Sequence, residues 1–169
     1  SILKDPGTIQ KSLEVLNEME CERIIALISW GEKKGERHTI IQEAMARRSI
    51  LAGADLVIGS SSHRVQGIEK MMDVPVIYSM GVLFDGSTSQ KPKNQDGILI
   101  RSVFHFNDTS RVPDITVIPI EPYGNTSDHN TYTPTTDLFK ERSSHLIDKI
   151  RKDSYSFSIE KITFYMNRQ

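Results

Sequence analysis

Two short stretches hold the side chains most able to do chemistry: Ser29-Trp30-Gly31-Glu32, and Gly59-Ser60-Ser61-Ser62-His63 followed by Gln66 and Glu69. An imidazole binds borderline divalent metals, but assembled sites use three or more ligands, and His63 has no second ligand in its own loop. A lone histidine of this kind is more often a hydrogen-bonded loop residue than a metal ligand. Glu32 and Glu69 could act as acid or base; each reads first as a solvated carboxylate, and no pairing between them is legible in the spacing. The three serines after Gly59 could cradle a phosphate with hydroxyls and turn amides, or form a plain polar turn. Trp30 could stack on a sugar or peptide, or fill space beneath the loop. His38, His105, His129 and His145 fall on different elements without metal-ligand spacing.

Both stretches follow apolar runs, and that places them. Arg23 to Ile28 is largely β-branched and reads as a strand buried on both faces, ending at Ser29; Asp55 to Ile58 is a second such strand, ending at Gly59. Between them Thr39 can cap a helix on which Ile40, Ile41, Ala44, Met45, Leu51 and Ala52 share a wide stripe, with Gly53 as its stop. Strand, helix, strand in this order implies a parallel crossover, so the two polar stretches meet at one sheet edge.

The rest of the chain supplies a frame. Asp5-Pro6 reads as the start of a short amphipathic helix with Ile9, Leu13 and Leu16 on one face. Val74 to Met80 reads as a third strand, and 81–97 as a mostly polar loop. Ile98 to Phe106 alternates, with Ile98, Ile100, Phe104 and Phe106 on one side, and is expected to pair antiparallel with Ile115 to Ile120 through Asn107-Asp108 to Val112. Pro122 to Pro134 reads as a long surface loop, leading to a helix capped near Thr135 and packed through Leu138, Phe139, Leu146 and Ile150. Tyr155 to Tyr165 alternates with a phase shift and suggests an extra strand or short hairpin.

Composition limits the function classes. Lys and Arg number 21 against 22 Asp and Glu, interspersed, so no one-signed field points to nucleic acid or a membrane surface. The single cysteine, Cys21, excludes an internal disulfide framework and a paired-cysteine zinc site. No apolar run approaches the roughly 20 residues of a membrane span, and Ser1 to Gln10 contains no export signal.

From Arg23 to Asp85 the chain resembles the CapA, or poly-gamma-glutamate capsule-synthesis, family. Members carry His-Trp-Gly after a strand, Gly-Ala-Asp-Leu-Val-Ile-Gly-His-His-Pro-His after the next, then Gln-Gly and Tyr-Ser-Leu-Gly-Asn-Phe. Here the matching residues are Ser29-Trp30-Gly31-Glu32, Gly53-Ala54-Asp55-Leu56-Val57-Ile58-Gly59-Ser60-Ser61-Ser62-His63, Gln66-Gly67-Ile68-Glu69 and Tyr78-Ser79-Met80-Gly81. The resemblance spans 5–120 best, continues more weakly to 152, and leaves the 155–165 strand as a tail to a single domain. It implies a layered α/β sandwich of the metallophosphatase-like type, in which two sheets pack between helices and two metals sit at the strand ends.

The departures fall where that family's metal ligands would lie. Ser29, Ser60 and Ser61 replace histidines, and Val82 stands for the Asn after Gly81. A serine hydroxyl is a poor ligand beside imidazole. His63 is then a remnant metal residue. The resemblance also implies that the family's first Asp and Asn motifs lie before Asp5, with roughly a hundred residues of the domain preceding this segment, unless the natural protein is itself truncated. Three functions remain open: a capsule-synthesis-associated domain without a working metal centre and so without a cofactor; a metal-dependent phosphoesterase-type hydrolase, with a divalent metal pair completed by the absent part; and a partner-binding module that contacts the missing N-terminal part, another chain or a second copy. The resemblance suggests the bacterial cell envelope.

Overall fold

The fold is a mixed α/β arrangement of a four-stranded, mostly parallel sheet, a three-stranded sheet and three helices among the described residues. The computed structural model describes residues 6–92, 95–106, 110–124, 126–136, 140–154 and 162–164. Helix α1 (Pro6–Glu18) leads into β1 (Ile25–Ser29), α2 (Ile40–Leu51), β2 (Leu56–Ser60), β3 (Ile68–Met71) and β4 (Val74–Ile77). The first sheet runs β1-β2-β4-β3, with β1, β2 and β4 parallel and β3 antiparallel to β4. The expected strand-helix-strand unit is therefore present, and Ser29 pairs in register with Ser60 at its end.

Strands β3 and β4 form an antiparallel hairpin that no turn motif in the sequence marks. Its turn places Met72 and Asp73 at φ +51 and +68, a left-handed pair that Asn-Gly normally signals and that Met-Asp does not.

Two expectations about burial are overturned. β1 is not covered on both faces: it is an edge strand whose Ala26 and Ile28 point into the core while Leu27 is 75% exposed. The second sheet covers β2, β3 and β4 but leaves this side of β1 open. On α2 the face turned to the sheet is Gln42, Ala46 and Ser49, whereas Ile40, Ile41 and Leu51 lie outside. Small residues let the helix sit close to Val57, Val76 and Tyr78, and Trp30 fills the remaining space. Thr39 caps this helix as expected, in a capping box with Gln42, and Gly53 follows its end at φ +102.

Strands β5 (Gly97–Val103) and β6 (Asp114–Ile120) pair antiparallel as expected, and β7 (Ile162–Phe164) adds to β6 in parallel. Ile98, Ile115 and Val117 meet Leu56, Ile68 and Ile77 of the first sheet, together with Leu146 and Ile150 of α3 (Lys140–Lys152). Phe106 departs from its expected face. It lies past the strand, exposed, with the Arg23 guanidinium 5.2 Å from its ring centre. Leu13 of α1 is buried and Leu16 half-buried.

The stretch 122–134 is less of a surface loop than its composition suggests: Tyr123 is fully buried and Asn130 bonds the carbonyls of Asp85 and Thr88. Thr135 exchanges backbone hydrogen bonds with Glu121 at 2.8 and 3.1 Å, and the expected helix start beyond it falls on 137–139, outside the described residues. Asp5, Asn107-Asp108, Asn125, Leu138, Phe139 and 155–161 lie outside the described residues, as does the side chain of Ile9.

Candidate functional site

Parallel pairing puts the ends of β1 and β2 side by side, and the loops that leave them form the candidate site. Ser29 and Ser60 are exposed on neighbouring strand ends, and the Trp30 amide donates to the Ser60 carbonyl at 3.1 Å. Beyond them the loop turns sharply, with Ser61 at φ +92 and His63 at φ +58, left-handed conformations unusual for residues with a Cβ. On the other side Gly31 turns at φ +82 and Glu32 faces solvent.

Several candidates are committed to the scaffold. The Trp30 indole is buried and donates its N–H to the Tyr78 carbonyl at 2.7 Å. It fills space under the strands, against the backbone of Gly59, where a Cβ would overlap both the indole nitrogen and the Tyr78 carbonyl. Ser62 is buried, its hydroxyl bonded to the Arg64 carbonyl at 2.8 Å and the Ser79 hydroxyl at 2.9 Å. Gln66 is buried as well: its amide donates to the carbonyls of Gly35 and Arg37, and its oxygen accepts from Gln42 at 2.9 Å. These bonds pin the 32–38 loop over the sheet, helped by the Lys34 amide on the Ser62 carbonyl.

What remains open to solvent at this edge is Ser29, Gly31, Glu32, Ser60, Ser61 and His63. A further acid that the spacing did not single out, Asp85, feels the charge of the His63 imidazole. The Ser87 hydroxyl and amide, and then the Tyr123 hydroxyl and the His63 imidazole, hold the Asp85 carboxyl below its usual range. Burial, and next the Asp85 charge, push the Tyr123 hydroxyl up to about 12, so it is a donor throughout the neutral range. Among the described residues no group of three His, Cys, Asp or Glu is placed to hold a metal ion.

A second polar cluster, unforeseen in the sequence, lies between α2, β3 and the end of α3. Glu69 is not a solvated carboxylate: it is 5% exposed and accepts the Tyr78 hydroxyl hydrogen bond. The His38 ring stacks on Tyr78 with centres 3.9 Å apart, its Nδ1 3.1 Å from Asp153 and its Nε2 3.3 Å from Glu43. Burial would lower the His38 pKa, but Asp153 beside it, with Glu69 and Glu43, outweighs this and raises the pKa above its ordinary value. Burial, and then the neighbouring Glu69 carboxylate, raises that of Tyr78. A cavity of about 590 Å³ opens beside His38, Glu43 and Glu69. Its partners come from positions 38, 43, 69, 78 and 153, a separation that carries no local motif.

Of the other histidines, His105 pairs with Asp114 at 2.7 Å and His129 with its neighbour Asp128 at 3.0 Å, both at the surface. No helix among the described residues is long and apolar enough to cross a membrane.

Residues 4–86 match the family described as bacterial capsule synthesis protein PGA_cap. Two relatives from Sinorhizobium fredii (strain NBRC 101917 / NGR234), the uncharacterized proteins y4sH and y4uA, are each 38% identical over 56 residues. Those residues make up 33% of this chain and 11% of each relative, so the match spans a small part of their length.

Proposed function

Since residues 4–86 belong to the bacterial capsule synthesis protein family, we propose that this chain is a domain of capsule or poly-gamma-glutamate biosynthesis that works without a metal centre of its own. The observation that carries the reading is the in-register pair Ser29 and Ser60, with Ser61 beyond it, at the edge where the resembling family places histidines. Ser62 and Gln66 are used to hold loops, so the edge keeps its shape while presenting hydroxyls in place of strong ligands. Such an edge suits hydrogen bonding to a polar ligand or a partner chain better than activation of water.

The fold that supports this role is read as the C-terminal part of one layered, metallophosphatase-like sandwich over 1–169. The two sheets packed face to face through Ile98, Ile115 and Val117 support that reading, as does the uncovered edge strand β1. The part of the same protein that precedes this segment is the proposed neighbour at that edge, and the family points to the cell envelope.

Metal content of the purified chain tests the proposal. The expected result is no stoichiometric manganese, iron or zinc and no phosphodiesterase turnover; stoichiometric metal with turnover overturns it. The rival hydrolase reading draws on His63, an imidazole exposed at this edge. In that case a longer form of the protein binds metal and turns over substrate, and His63→Ala abolishes both.

A further inference from the structure

The two helices on the outer layer carry faces that a solvated surface does not need. On α1 and just beyond it, Val15 is 53% and Met19 67% exposed, and on α2 Leu51 is 68% exposed. The charges beside these residues differ in sign. Glu14, Glu18, Glu20 and Glu22 are all exposed with no basic residue among 14–22, whereas Arg47 and Arg48 are exposed beside Leu51. The side-chain amide of Asn17 donates to the Ala52 carbonyl at 2.8 Å, which sets the C-terminal ends of α1 and α2 level, and a groove of about 470 Å³ runs between Glu14, Asn17, Arg48 and Leu51.

We propose that two copies of this chain associate through the outer faces of α1 and α2, about a two-fold axis lying along that groove. Such an axis sets α1 of one protomer on α2 of the other at the same level, twice over. Val15 and Met19 then cover Leu51 of the partner, and the carboxylates of 14–22 meet its Arg47 and Arg48. A two-fold interface must be self-complementary, and one acidic and one basic apolar helix side by side satisfy that requirement, whereas two like-charged faces would repel. The same contact removes exposed apolar surface from water on both copies. The inference concerns a surface away from the Ser29 and Ser60 edge and does not depend on the function proposed for it.

Sedimentation velocity of the full chain over the micromolar range tests the pairing. The expected result is a concentration-dependent dimer that weakens as salt is raised. Leu51→Glu, at an exposed position that leaves the fold intact by circular dichroism, should raise the dissociation constant by about tenfold or more. The double reversal Arg47→Glu with Arg48→Glu should give monomers, and adding Glu14→Arg with Glu18→Arg should restore the dimer. A chain that stays monomeric throughout, a dimer indifferent to Leu51→Glu, or a reversed pair that the compensating changes do not rescue overturns the proposal.

Discussion

His38 and Asp153 lie 115 residues apart in the chain, yet one Asp153 oxygen is 3.1 Å from the His38 imidazole and accepts the His38 amide at 3.1 Å and the Gly67 amide at 2.6 Å. Through that carboxylate the end of α3 is fastened to the loop after β1 and to the start of β3, the two segments that Gln66 also ties together.

The first prediction concerns pH. Because the folded pKa of His38 is raised, its contribution to stability is fully present below the ordinary histidine value of about 6.5 and is lost as pH rises through the folded value. The groups facing the ring are Asp153 just past α3, Glu43 of α2, Glu69 of β3 and Tyr78. Urea midpoints measured in steps from pH 6 upward should fall across that window in the wild type and stay flatter in His38→Gln. Identical profiles for the two proteins would remove His38 as the titrating group.

Asp153→Ala should be among the costliest single changes in the second half of the chain. It strips two backbone amides and a buried imidazole of their acceptor, a loss of about 2–5 kcal/mol by the usual cost of charge-assisted bonds left unmade. Gly67→Ala attacks the same joint from the other side, since its Cβ would overlap the Asp153 carbonyl. Chemical denaturation of both variants checks this, and midpoints near wild type would show that α3 is not held there.

Gly59→Ala should lower stability by about 1–3 kcal/mol or more through overpacking, because its Cβ enters the Trp30 indole and the Tyr78 carbonyl. Trp30→Ala should cost about 3–5 kcal/mol by leaving a cavity. Near-ultraviolet dichroism and denaturant midpoints read both effects. If Trp30 were instead a stacking platform for ligand, its loss would leave stability nearly unchanged.

Ser61→Gly should be neutral or stabilising by about 1 kcal/mol, since glycine relieves the left-handed backbone at φ +92. A thermal melt decides it. A marked loss of stability would mean that the Ser61 side chain holds the turn.

The sequence alone carried what is local or periodic. Thr39 and Gly53 marked the ends of α2, the β-branched runs marked β1 and β2, and their order placed Ser29 beside Ser60, because parallel strands joined through a helix end at the same edge. Tertiary structure decided which residues are covered and which polar groups meet. Leu27 reads as core yet stands in the open because its strand is at an edge, and Gln42, which is not part of the apolar stripe expected on α2, is buried and bonded to Gln66. The same holds for Glu69, which lost its solvent only because Tyr78 lies across the hairpin and α3 closes over the loop; burial and pairing depend on residues far along the chain, and neither spacing nor composition encodes them.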